Sequence, residues 1–399
     1  MYLGHSDWGT RLEIRKVSTL RTLDFVERRF AKEPTVQEAS MLNIVLSFIT
    51  NLIASLAGSE SLVQTKVNIA HAAMNRRLYQ SLVLLVALFS FVVHADAQKL
   101  RSAYGALGGT FLPLWVTHDA GLFKKHGLDV DLVFVTGGTM AVTAIASGQT
   151  PIAGAGASMV PIAGSGADIV FIADMVDNPY FLVARPEIKT KEDLRGKRAG
   201  ISRFGSSSDF ATRIALEGLG LVPDRDVAIL QIGAVPDRFA AMEANVVQAT
   251  VLTPPINLIA KKKGFSIIVN VADLGHKIPD SGLVTTRSYI KANREVVRKY
   301  LMAYLEGIKV LKSNRSLSMT ILSRYTRVTD ATSLEEAYRF YARVVPERPY
   351  IDVPSVQKVI DFYKKGRPEM ANVKAEQVVD MSVLKEIDQS GFIDALYKN

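Results

Sequence analysis

Glycine and hydroxyl residues crowd four short stretches of this chain: Tyr104-Gly105-Ala106-Leu107-Gly108-Gly109-Thr110, Thr136-Gly137-Gly138-Thr139, Gly154-Ala155-Gly156-Ala157-Ser158 and Phe204-Gly205-Ser206-Ser207-Ser208. Glycine frees a turn and a hydroxyl caps the helix that follows, so exposed backbone N–H groups and side-chain hydroxyls together can hold an anion. The serine run is the sharpest of the four, because an ordinary N-cap needs one serine and here three follow in a row. Gly137, Gly138 and Thr139 read in the same way, with a plain capped turn as the bland alternative. Gly154-Ala155-Gly156 lacks the last glycine and the acidic partner of a dinucleotide fingerprint, which leaves Gly156, Ala157 and Ser158 as candidates for contact with a small ligand. Tyr104 and Phe111 are candidate pocket walls, although aromatics at this spacing also build cores. Thr253 and Pro254 begin a rigid Thr-Pro-Pro turn that could face the same pocket or simply start a helix.

Catalytic constellations are missing. There is no G-x-S-x-G elbow around Ser206, no histidine paired with a carboxylate beside it, and no P-loop. The chain has no cysteine, which removes disulfides, thiolate metal sites and cysteine nucleophiles together. His118, next to Asp119, reads as a satisfied histidine, and no histidine after residue 97 has a second ligand at metal spacing. Binding without chemistry, without metal and without a cofactor is the leading reading.

The elements that must position these loops alternate. Strands are expected near residues 100–105, 129–135, 152–155 and 169–175, with helices at 111–119, 121–126, 139–147 and 158–163 between them. A second set follows: strands at 198–201, 227–232, 249–252 and 266–270, helices at 208–219, 238–244 and 257–263. This pace predicts an α/β fold with two doubly wound lobes. Residues 98–186 plus 284–399 form the first lobe and residues 187–283 the second, with crossings near 184–188 and 281–286. Long amphipathic helices are expected at 294–313, 333–344 and 355–364. Two lobes joined by two strands make a hinged clamp, and in open α/β sheets ligands sit beyond the carboxyl ends of the strands, where the glycine loops fall.

Residues 74–97 read as a secretory signal peptide: Arg76 and Arg77, an apolar run over 78–93, and Ala95-Asp96-Ala97 as the cleavage site. Cleavage after Ala97, or retention of the segment as an uncleaved tether, puts the body of the protein in the periplasm, and residues 1–73 read as a start assigned too far upstream, with a genuine N-terminal extension as the alternative. Of the formal net charge of +9, residues 1–97 carry ten basic and eight acidic residues, which leaves +7 on the remainder. That excess suits an anionic ligand, but the basic residues are scattered rather than striped, which argues against nucleic acid.

Three segments carry a resemblance to a known family: Gly121-Leu122-Phe123-Lys124-Lys125-His126-Gly127-Leu128-Asp129-Val130, then Gly137-Gly138 followed by Ala146-Ser147-Gly148-Gln149, then Asp193-Leu194-Arg195-Gly196-Lys197-Arg198-Ala199-Gly200. Together they resemble the periplasmic solute-binding proteins of ABC importers in the nitrate, sulfonate and taurine group, which is related to the thiamine-precursor binders. The resemblance implies a monomeric two-lobed clamp, not an enzyme, that captures a small organic anion and delivers it to an ABC permease in the inner membrane. It places ligand loops on 104–111, 137–139, 156–158 and on Ser206 and Ser207. A sensor domain serving a membrane partner is the alternative. A pyrimidine-forming enzyme of the same fold depends on a cysteine-rich motif that this chain lacks.

Overall fold

Among the described residues two five-stranded sheets form, each with the same plan. The computed structural model describes residues 99–275, 279–364 and 367–398; they belong to one unit, Ala97–Asn399. The signal-peptide reading and the reading of residues 1–73 lie outside the described residues.

The first sheet contains β1 (Leu100–Tyr104), β2 (Val130–Phe134), β3 (Ile152–Ala155), β4 (Val170–Asp177) and β10 (Pro279–Thr285), in the order β2-β1-β3-β10-β4. The second contains β5 (Phe181–Ala184), β6 (Lys197–Ile201), β7 (Val227–Gln231), β8 (Ala249–Leu252) and β9 (Ser266–Asn270), in the order β7-β6-β8-β5-β9. β1 pairs in parallel with β2 and β3, and β6 in parallel with β7 and β8, as in Leu100 with Val130 and Lys197 with Val227. The two strands that arrive by crossing between lobes, β10 and β5, run antiparallel to both neighbours.

The crossings lie earlier than the sequence suggests. Phe181–Ala184 already belongs to the second sheet and Pro279–Thr285 to the first. The chain therefore changes lobes between Asp177 and Phe181 and between Asn270 and Pro279. β5 escapes a sequence reading because four apolar residues after a proline carry no period; of β10, residues 284–286 read as a strand returning to the first lobe, but Pro279, Asp280 and Ser281 disguise its first half, although the strand is buried along its whole length.

The helix Arg294–Ser313 anchors the first lobe. Tyr300 meets Ser102 of β1 through their hydroxyls at 2.8 Å, and the Tyr304 hydroxyl donates to the Asp174 carbonyl at 2.9 Å. Glu306, buried on the same helix, accepts from Lys125 at 2.6 Å and lies 3.0 Å from Nε2 of His126. The Gly121–Leu128 motif is thus pinned by packing to a helix some 180 residues away. Asp193 has a similar structural task, accepting from the backbone N–H groups of Lys189 and Thr190. The helices Arg315–Thr326, Ala331–Val344, Val353–Lys364, Ser382–Gln389 and Phe392–Tyr397 also belong to this lobe.

Candidate functional site

The strand ends of both lobes converge on a cavity of about 40 Å³. Gly105, Thr110, Phe111, Gly138, Gly156 and Asp280 line it from the first lobe, and Ser206, Ser207, Arg238 and Thr253 from the second. A water needs about 10–15 Å³ of such space, so the cavity admits a group of only a few heavy atoms while the lobes hold this arrangement.

Where Gly105 meets Gly137 and Gly138, the wall from the first lobe is bare backbone. Gly137 N–H donates to the Gly105 carbonyl at 2.9 Å, and a Cβ on Gly105 would lie 2.6 Å from the Gly138 nitrogen. Two loops can approach this closely only without side chains. Behind Gly138 sits Ser158, fully buried, whose hydroxyl has no hydrogen-bond partner among the described residues.

In the second lobe, Ser206 caps the helix Ser207–Gly218 by accepting from Asp209 N–H at 3.3 Å. The hydroxyls of Ser202, Ser206 and Ser208 form a triangle with 2.9 Å sides. Ser207 is free of that triangle and reaches across to the first lobe, donating to the Asp280 carbonyl at 3.1 Å. The serine run therefore divides its labour: one caps, one knits the turn, one faces the opposite lobe.

Two buried ionisable groups set the electrostatics. Arg238, on the helix Val235–Glu243, is 2% exposed and donates to Thr250 Oγ1 at 3.1 Å, the Gly233 carbonyl at 3.0 Å and the Val251 carbonyl at 3.1 Å. Burial lowers its pKa to about 10, which leaves it charged at neutral pH. Asp280 accepts a hydrogen bond from the Tyr180 hydroxyl. Burial pushes its carboxyl up to about 7, against the opposing pull of Tyr180 and Arg238.

Of the residues expected from sequence, Gly105, Thr110, Phe111, Gly138, Gly156, Ser206, Ser207 and Thr253 line the cavity. Tyr104, Gly137, Thr139, Ala157, Ser158 and Pro254 do not. Tyr104 is a core residue, packed edge-on against Trp115 and tilted against Phe111 and Phe134. Gly137 lies instead against Arg203 of the second lobe. Tyr180, Arg238 and Asp280 were not foreseen. An arginine on an amphipathic helix and an aspartate near a proline look like surface residues, and nothing in their local spacing says otherwise.

The NMT1/THI5-like family model matches residues 109–315, which is 207 of the 399 residues. This chain belongs to the NMT1/THI5-like family. A Brucella abortus relative, named only as a binding protein, is 28% identical over 271 residues, covering 66% of this chain and 83% of the relative. The Bacillus subtilis binding protein YtlA is 23% identical over 249 residues, covering 60% and 74%. Among solved structures, the periplasmic aliphatic sulphonate binding protein SsuA of Escherichia coli superposes with a TM-score of 0.57 at 20% identity, over 71% of this chain and 92% of SsuA. The periplasmic nitrate-binding protein NrtA of Synechocystis superposes with a TM-score of 0.62 at 13% identity, over 74% and 89%. This family member thus has the two-lobed fold of periplasmic binding proteins.

Proposed function

We propose that this chain is an extracytoplasmic solute-binding protein that closes two lobes over a small organic anion, a sulfonate, carboxylate or similar, and hands it to an ABC permease in the inner membrane. The observation that carries this reading is a cavity lined from both lobes and bordered by a buried arginine and a capped helix N-terminus, where an anion gains from fixed donors and a low local dielectric. Gly138, Gly156, Ser206 and Ser207 hold the solute by backbone N–H and hydroxyl contacts, while Tyr104, Gly137, Thr139, Ala157, Ser158 and Pro254 shape the loops around it. The chain reaches the periplasm through the signal peptide at 74–97, cut near Ala97, and works as a monomer without catalysis.

The test is a thermal-shift screen of the purified protein against nitrate, alkyl sulfonates, taurine and aromatic carboxylates. Ligand at a hundred times its dissociation constant should stabilise by about 2.7 kcal/mol. Replacing Ser206 and Ser207 together by alanine should weaken binding at least tenfold while costing about 1 kcal/mol of stability from the lost cap. Unchanged affinity in that double variant would sink the assignment of the serine loop.

A further inference from the structure

A second cavity, much larger, opens on the far side of the Thr253-Pro254 turn. Its volume is about 700 Å³, within the range of organic ligand sites. Thr253 lines the small cavity and Pro254 the large one, so a single turn separates the two. Both lobes build it: Phe181, Leu258, Lys261 and Phe265 on one wall, Phe340 and Arg343 of the helix Ala331–Val344 on the other.

Its chemistry differs from that of the solute cavity. Phe181 and Phe340 pack with ring centroids 6.3 Å apart across the lobe boundary, and together with Phe265 they give an aromatic bed. Lys261 and Arg343 stand exposed on opposite walls, and neither makes an ion pair among the described residues. Among the described residues Glu336 is the one acidic residue of the lining, and Arg339, also in the lining, is paired with Glu335 at 2.7 Å. Asn257 lines the same space, is 3% exposed, and its Oδ1 has no hydrogen-bond partner among the described residues. A buried amide with an unpaired atom is costly until a polar partner arrives, and an amide flip lets the same position offer a donor instead.

We propose that this groove is a second binding site, for an amphipathic organic anion: an apolar body lies on the phenylalanine bed, the acidic group is drawn to Lys261 and Arg343, and a polar atom pairs with Asn257. Because both lobes contribute walls, the occupant also favours the arrangement in which they meet.

The probe is 8-anilinonaphthalene-1-sulfonate, whose fluorescence rises on entering an apolar site, titrated into the full chain. Saturable binding at one site is expected. Lys261→Glu combined with Arg343→Glu should weaken it at least tenfold, and Leu258→Trp, which fills the groove without changing charge, should do the same. The Ser206→Ala, Ser207→Ala double variant should bind the probe like the parent, which separates this site from the solute cavity. Retained affinity in both groove variants, or loss in the serine variant, overturns the proposal. A probe-free dimer that dissociates in the Lys261→Glu, Arg343→Glu variant overturns it too, by assigning the groove to a second copy.

Discussion

Asp280 governs how the cavity responds to pH. Its carboxyl stands at about 7 rather than 3.8 because burial disfavours the charged form more than Tyr180 and Arg238 favour it. The folded protein therefore binds a proton that the unfolded chain has lost. The associated stability is full below about pH 4, declines as pH rises, and is gone above about pH 7, a difference of about 4 kcal/mol for three pKa units. Asp280→Asn, neutral throughout, should lack this slope, so the gap in unfolding free energy between variant and parent should widen across that interval in urea titrations. Binding follows the same logic. An anion beside Asp280 is tolerated by the neutral carboxyl, so affinity should fall by up to tenfold per pH unit above about 7, and Asp280→Asn should flatten the profile measured by calorimetry. An affinity that instead rises through this range would mean that the solute presents a positive group, and would overturn the anion reading.

Elements, more than single residues, explain why the loops look as they do. A Cβ on Gly156 would stand 1.4 Å from the Asp280 carbonyl oxygen, so β3 and the start of β10 can meet only if this position has no side chain. Gly156→Ala should push β10 away, costing about 1–3 kcal/mol and weakening solute binding together, as read by urea denaturation and calorimetry. The Gly121–Leu128 motif behaves differently. Glu306→Gln should lower the melting temperature, through about 1–3 kcal/mol lost from a buried site shared with Lys125 and His126, and leave solute affinity unchanged. A motif that identifies the family need not touch its ligand.

At the scale of the whole molecule, the contacts between the lobes include several directional ones. Arg203 Nε of the second lobe donates to the Thr136 carbonyl of the first at 3.0 Å. Tyr341 of the first lobe donates to the Pro254 carbonyl at 2.8 Å, and Lys262 meets Asp330 at 2.5 Å. Phe210 packs on Phe362, with centroids 4.7 Å apart, beside the serine turn. Such contacts suit an equilibrium that a ligand can tip, since apparent affinity scales with the fraction of molecules already closed. Arg203→Ala removes one latch outside the cavity lining. Solute affinity should fall several-fold, and X-ray scattering of the ligand-free protein should show a larger radius of gyration. An unchanged radius would mean that this contact does not hold the lobes.

Alternation of apolar strands with periodic helices determined the fold class by itself, because burying one face of each element on a parallel sheet leaves few other solutions. The glycine and serine loops were legible too, since only turns at strand ends need those residue types, and Gly138, Gly156, Ser206 and Ser207 do meet at one cavity. Tertiary structure alone decided which neighbours of those loops stay outside it, as with Tyr104, whose ring the core claims. It also decided which ordinary charges become special. Arg238 and Asp280 look like surface residues in the sequence and acquire altered pKa values only when distant segments remove their water, a property of packing that no local spacing encodes.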